Sequence, residues 1–178
     1  PAEMSIDLSS NGSIVAIGAP YNSDNGLTAG HVRVYINQQD EWIQIGNDID
    51  GETTHAYAGF SVNLSSDGSI LALSSFEGKV FVYENISGVW TQYGNIIEAN
   101  SAQTRFGNNI KLSSNANVLA IEYYFNDANY VIDTYEIIAG IWTKKGNSIT
   151  ASTTPYNTLN SVPSISMDMS ADGNTIAL

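Results

Sequence analysis

The stretch VWTQYGN, Val89–Asn95, is written twice more in near-copy, as EWIQIGN at Glu41–Asn47 and IWTKKGN at Ile141–Asn147. Trp42, Trp90 and Trp142 are each followed after four residues by a glycine, Gly46, Gly94 and Gly146. Each is preceded by seven residues by a tyrosine, Tyr35, Tyr83 and Tyr135. A second phrase lies upstream of each copy: LSSNGSIVAI from Leu8, LSSDGSILAL from Leu64 and LSSNANVLAI from Leu112, with MSADGNTIAL from Met169 as a fourth. Eight residues after each leading Leu or Met comes an alanine, at Ala16, Ala72, Ala120 and Ala177. The period from phrase to phrase is 56, 48 and 57 residues. Self-similarity at this scale decides the architecture before any residue-level reading, because each repeat is one supersecondary unit that its neighbours must cover.

Within a repeat the periodicity is that of strands. In FSVNLS, Phe60, Val62 and Leu64 alternate with Ser61, Asn63 and Ser65, which is period two. SSDGS then supplies a turn, and the Asp-Gly pair suits a type I′ hairpin. ILALS is a continuous apolar run, as for a strand covered on both faces. KVFVYE alternates again, a turn at NISG follows, and VWTQYG closes the unit. Four short antiparallel strands repeated at this spacing predict an all-β fold of propeller blades. The tryptophan phrase is expected on the outer strand, with Trp42, Trp90, Trp142 and their glycines as equivalent packing residues between blades. The repeats are placed at about 4–59, 60–105 and 106–163, with a partial fourth at 164–178. Three repeats and a half imply one propeller segment, completed by further blades of the same protein or by self-association. The distance from alanine to tyrosine varies, at 19, 11 and 15 residues, so insertions should emerge as loops on one rim.

Composition narrows the partners. Six Lys and Arg stand against 18 Asp and Glu, a net charge of −12. Phosphate contacts require Lys and Arg, so a nucleic-acid partner is not expected. No apolar run reaches the roughly 18 residues of a membrane helix, and membrane insertion is not expected either. The chain has no cysteine, which excludes disulfides, thiolate metal sites and cysteine nucleophiles.

The phrases AIGAPYNSDNGLTAGHVRVY (Ala16–Tyr35), AGFSVNLSSDGSILAL (Ala58–Leu73) and VWTQYGNIIEANSAQTRFGNNIKLSS (Val89–Ser114) resemble the FG-GAP repeat of integrin alpha propellers and of bacterial surface and secreted proteins. Phe106-Gly107 matches the first half of that motif, and Gly59-Phe60 matches it in reversed order. Gly18-Ala19-Pro20 matches the second half. The resemblance implies a propeller and an extracellular or cell-surface location. It further implies adhesion or protein binding through rim loops, without catalysis. Calcium-binding members carry a DxDxDG-like loop. Here the corresponding turns read SSNGS, SSDGS and SSNAN, and calcium is not expected in them.

Asp48, Asp50 and Glu52 alternate in GNDIDGE, so on a strand they would share a face able to hold a hard cation such as calcium. Asn22 and Asp24 bring oxygen side chains to the turn YNSDNG and are expected as binding residues, in a degenerate form of a cation loop. EYYFNDANY, Glu122–Tyr130, breaks the repeat and concentrates aromatics, so Tyr123, Tyr124 and Tyr130 are expected as a recognition surface. His31 and His55 fit no metal spacing and are assigned surface or structural roles. No Gly-x-Ser-x-Gly phrase is present, so the chain is expected not to be an enzyme. The expected partner is a protein or a glycan. A carbohydrate-binding module and a passive spacer in a surface filament are the alternatives.

Overall fold

The computed structural model describes residues 4–125, 129–152 and 166–178. The first sheet contains β1 (Ser5–Leu8), β2 (Ile14–Ala19), β3 (His31–Gln38), β4 (Glu41–Gln44) and β5 (Ile49–Asp50). The second contains β6 (Val62–Leu64), β7 (Ile70–Ser75), β8 (Lys79–Ile86), β9 (Val89–Gln92) and β10 (Ile97–Glu98). The third contains β11 (Gln103–Thr104), β12 (Ile110–Leu112), β13 (Val118–Phe125), β14 (Asn129–Ile138) and β15 (Ile141–Ser152). A final hairpin pairs β16 (Asp168–Met169) with β17 (Ile176–Ala177). All pairings between these strands are antiparallel, and the described residues contain no helix. The fold is an all-β propeller arrangement of five-stranded sheets in which two short strands share one neighbour, β4 and β5 on β3, β9 and β10 on β8, and β11 and β12 on β13, so that each blade is four strands wide. The inner strands β1, β6, β12 and β16 lie side by side.

The blades cover one another with repeated positions. Val62 and Leu64 pack on Ala16, Val32 and Val34 of the first blade. Ile110 and Leu112 pack on Ala72, Val80 and Val82 of the second. Met167, Met169 and Ile176 close over Ala120 and Ile132 of the third. Ala16, Ala72 and Ala120 are wholly buried, because a larger side chain there would hold neighbouring blades apart. Each Val, Leu or Ile so buried contributes about 1.5–3 kcal/mol. Ile6 and Leu8 occupy the same positions on β1 and are 65% and 53% exposed, with no blade before them among the described residues.

Hydrogen bonds repeat in step with this packing. Ser10 N–H donates to Ser66 O (2.9 Å), Ser66 N–H to Ser114 O (3.0 Å) and Ser114 N–H to Ala171 O (2.9 Å). A carboxylate oxygen of Asp7 accepts from Leu64 N–H and from the Asn63 amide, both at 2.7 Å. The Asn63 carbonyl in turn accepts from Leu112 N–H at 2.6 Å. The polar side of the alternating strand β6 is therefore an inter-blade seam, and Asn63 is buried in it.

The tryptophan phrase makes a third joint. Trp90 Nε1–H donates to Ile45 O at 2.9 Å, and Trp142 Nε1–H donates to Tyr93 O at 3.0 Å. Each indole lies against the glycine of the preceding blade, Gly46 or Gly94. The expectation of three equivalent packing residues is met by Trp90 and Trp142. Trp42 is 47% exposed and makes no such joint among the described residues, so the expectation of three equivalent packing residues fails there.

The hairpins differ from expectation in type. A type I′ turn needs positive φ at both central residues, but only Gly12 and Gly68 are positive, not Asn11 or Asp67. Gly12 N–H bonds Ser9 O and Gly68 N–H bonds Ser65 O, both at 2.9 Å. This is the geometry of a type I turn followed by a left-handed residue. The side chains of Asn11, Asp67 and Asn115 accept the backbone N–H two residues on and complete it.

Candidate functional site

The loops on one rim bring four aromatic rings together. Tyr21 follows β2, Tyr57 and Phe60 lie in the crossing segment between β5 and β6, and Phe76 follows β7. Tyr21 and Tyr57 meet edge to face at 5.5 Å, as do Tyr57 and Phe76 at 5.6 Å, while Phe60 lies 6.0 Å from Phe76. The four rings line an open cleft of about 180 Å³. Phe76 is 60% exposed and Tyr21 47%, so the cleft presents two of its rings to solvent. A smaller recess continues from it along Phe60, Phe76, Arg105, Phe106 and Asn108.

The backbone under this cleft is held in place at a conformational cost. Thr28, His55, Tyr57 and Arg105 all have positive φ, at 47°, 63°, 52° and 52°. Left-handed non-glycine residues cost about 1–3 kcal/mol each and persist only where surrounding structure over-determines them. Here His55 N–H bonds Leu27 O, Tyr57 N–H bonds Thr28 O, Ala58 N–H bonds Ala29 O and Phe76 N–H bonds Ala56 O. Thr28 Oγ1 also meets His55 Nδ1 at 2.7 Å. The crossing segment is thus clamped between the β2–β3 loop and the β7–β8 turn, and the rings are preorganised. No spacing rule in the sequence singles out these four aromatics. Tyr21 and Phe76 lie in the variable segments from alanine to tyrosine, whereas Tyr57 and Phe60 lie between Gly46 and Leu64.

The aromatics that the sequence did single out lie elsewhere. Tyr123, Tyr124 and Tyr130 are at most 9% exposed, so they do not provide the exposed surface expected of them. They are long strand residues of the third blade, where β13 and β14 extend past the lengths of their counterparts, and they fill its interior. Tyr124 packs 4.4 Å from Tyr130 and lies beneath the Arg105 guanidinium. Burial pushes the Tyr124 hydroxyl well above the ordinary tyrosine range. Just before them the sequence hides Glu122, which interrupts the apolar run and is fully buried. Burial raises its carboxyl above the ordinary value, opposed by donation from Asn108 and Asn109. Asp133 is also buried, 2.9 Å from Lys144 Nζ and 3.2 Å from the Tyr123 hydroxyl.

Asn22 and Asp24 form a local turn. Asn22 Oδ1 accepts Asp24 N–H at 2.8 Å and its amide donates to Asp24 Oδ2 at 3.1 Å. Of Asp48, Asp50 and Glu52, the fold brings the first two to His31, while Glu52 lies in the exposed segment after β5. Asp48 is gripped through both oxygens by Arg33 (2.7–3.0 Å) and accepts from Gln44 at 2.7 Å. The Arg33 guanidinium holds the Asp48 carboxyl down to about 2. The three-carboxylate oxygen set that a calcium ion would need is not assembled.

No protein-family model and no curated protein matches the chain. Solved structures do. A protein described as a putative 6-phosphogluconolactonase from Bacteroides uniformis is similar with a TM-score of 0.62 at 15% identity, over 98% of this chain and 46% of that one. The periplasmic gluconolactonase of Pseudomonas aeruginosa is similar with a TM-score of 0.59 at 15% identity, over 96% and 45%. The Cps50 (Swd1) β-propeller domain of Myceliophteria thermophila gives 0.54 at 11% identity, over 83% and 43%. The chain spans less than half the length of each. These likenesses support the propeller fold. They also correct the expectation that the chain is not an enzyme, because two of the proteins sharing its architecture are named as lactonases. A propeller assembles its sites from loops of different blades, so a missing local nucleophile phrase excludes nothing.

Proposed function

We propose that the chain is an FG-GAP-like propeller segment, working outside the cell or on its surface, that recognises a protein partner with its aromatic rim. The observation carrying this reading is the exposed cleft of Tyr21, Tyr57, Phe60 and Phe76 on a clamped, left-handed backbone. Exposed aromatic patches mark interaction sites, and Tyr and Arg are the side chains enriched in interface hot spots. Preorganisation of the rings lowers the ordering cost of binding.

The FG-GAP part of the reading is supported by the contact between its two half-motifs. Gly18 of the GAP phrase abuts Gly59 of the next repeat so closely that a side chain on either would strike the other's backbone. Both halves therefore need glycine for one reason, the close approach of consecutive blades.

A second reading, a sugar or sugar-lactone ligand in the same cleft, is favoured by the apolar ring walls and by the named activities of the similar structures. Selection of peptides from a random display library on the immobilised chain, with a glycan array in parallel, separates the two. The protein reading expects enriched peptides whose binding falls at least about tenfold in Tyr21→Ala and Phe76→Ala. Saccharide binding lost in the same variants, without peptide enrichment, replaces it by the second reading.

A further inference from the structure

His31 carries a buried nitrogen with no stated purpose. The residue opens β3 and is 4% exposed. Its Nδ1 has no hydrogen-bond partner and lies 3.9 Å from Asp48 Oδ2, too far for a hydrogen bond. A buried polar atom left unpaired costs about 1–3 kcal/mol, and such atoms in native folds call for an explanation. Pairing a charged imidazole with Asp48 gains little, because Arg33 already occupies both oxygens of that carboxylate.

The register supplies a further ligand. His31 is paired directly with Asp50 across β3 and β5, and Asp48 lies two residues before Asp50. One ligand atom from each of His31, Asp48 and Asp50 falls within 4.8 Å of the others. An ion bound at about 2.0–2.2 Å to nitrogen and oxygen ligands needs them slightly closer. Rotation of Asp50, which is exposed, can close that gap. On the solvent side an open cleft of about 480 Å³ runs along Asp48 and Asp50 towards Tyr83 and Trp90 of the second blade. It leaves room for water or an exogenous ligand at the remaining coordination positions.

We propose that His31, Asp48 and Asp50 form a binding site for a divalent transition metal of the zinc class, with Arg33 as the resident cation that the metal displaces. Imidazole together with carboxylates suits zinc, whereas calcium takes six to eight oxygens. The Arg33 side chain is 38% exposed and can swing into solvent, so the ion takes over the charge it neutralised. A displaced internal cation is a competitor, and removing it should tighten metal binding. A residue that merely stabilised the site would behave in the opposite way.

The test is titration of Zn²⁺ into the full chain by calorimetry, with the ring resonances of the two histidines followed by NMR. The expected result is one saturable site that shifts His31 and leaves His55 in place. Arg33→Gln should bind Zn²⁺ about tenfold more tightly, and His31→Gln about tenfold or more weakly. His55→Gln should bind as the wild type, and Ca²⁺ should not reproduce the His31 shift. Absence of saturable binding up to about 1 mM Zn²⁺, a response confined to His55, or unchanged or weakened binding in Arg33→Gln overturns the proposal. The NMR readout on the unmodified chain keeps the test valid should His31→Gln fail to fold.

Discussion

The Trp142 indole lies against Gly94 of the preceding blade, so close that a methyl group on Gly94 would stand 2.6 Å from the ring carbon Cδ1. The indole N–H reaches past that glycine to Tyr93 O. Trp90 repeats the relationship on Gly46 and Ile45. A tryptophan and the glycine four residues after it thus serve two different joints: the ring faces backward, and the glycine receives the ring from ahead.

Directionality separates three tryptophans that look identical in sequence. Trp142→Ala should cost about 3–5 kcal/mol, the range for truncating a buried aromatic, because Trp142 is 4% exposed. Trp42→Ala should stay within about 0.5 kcal/mol, as surface changes do. Denaturant melts of the two variants check this. Equal losses would mean that Trp42 is covered in solution by something that completes its joint.

The glycines should divide in the same manner. Gly94→Ala forces its methyl group into the Trp142 ring and should cost well over 2 kcal/mol. Among the described residues nothing lies within 4 Å of the equivalent position at Gly146. Gly146→Ala should therefore cost only the left-handed backbone penalty, about 1–2 kcal/mol, at its φ of 68°. Thermal melts of both variants test the difference, and a larger loss at Gly146 would refute the assignment.

Glu122 makes stability depend on pH. Its folded carboxyl is raised by burial, so the protonated form is favoured in the fold. That contribution is fully present below the ordinary glutamate value of about 4.3 and is lost as pH rises through the raised folded value. Glu122→Gln removes the buried charge. It should melt higher than the wild type at pH 7, with the advantage vanishing near pH 4. A variant less stable at both pH values would show that the carboxylate is held charged by its asparagine partners.

The repeat phrases carried the fold because they are the parts every blade must present identically to its neighbour: the alanines, the inner Val and Leu, and the tryptophan with its glycine. The rim was not legible. Tyr21, Tyr57, Phe60 and Phe76 come from three separate connections between strands, and only the crossing of the chain between blades brings them together. His31 likewise reaches Asp50 through strand register across 18 intervening positions, which no local spacing encodes. The aromatic run at Tyr123–Tyr124 misled for the opposite reason. A long strand pair inside a blade needs large side chains as much as a binding surface does.

The last prediction concerns the tight turn between the first two strands of each blade. Asp67 Oδ1 accepts Ser69 N–H (2.9 Å), Ser69 Oγ–H (2.7 Å) and Ser65 Oγ–H (2.7 Å). These donors hold its carboxyl below the usual range, with the Ser69 backbone bond first among them. Asp67 is therefore spent inside its own turn, and in the neighbouring blades neutral Asn11 makes all three of these bonds and neutral Asn115 the backbone bond and that from the preceding serine. An oxygen acceptor is the requirement, and the negative charge is not. Asp67→Asn should then stay within about 0.5 kcal/mol of the wild type. Asp67→Ala should lose about 1–2 kcal/mol, as when a capping acceptor is removed from backbone donors. Melting both variants with and without a chelator reads the two effects separately. A wild-type melt that drops on chelation, with Asp67→Asn insensitive to it, would mean that this turn holds an ion after all.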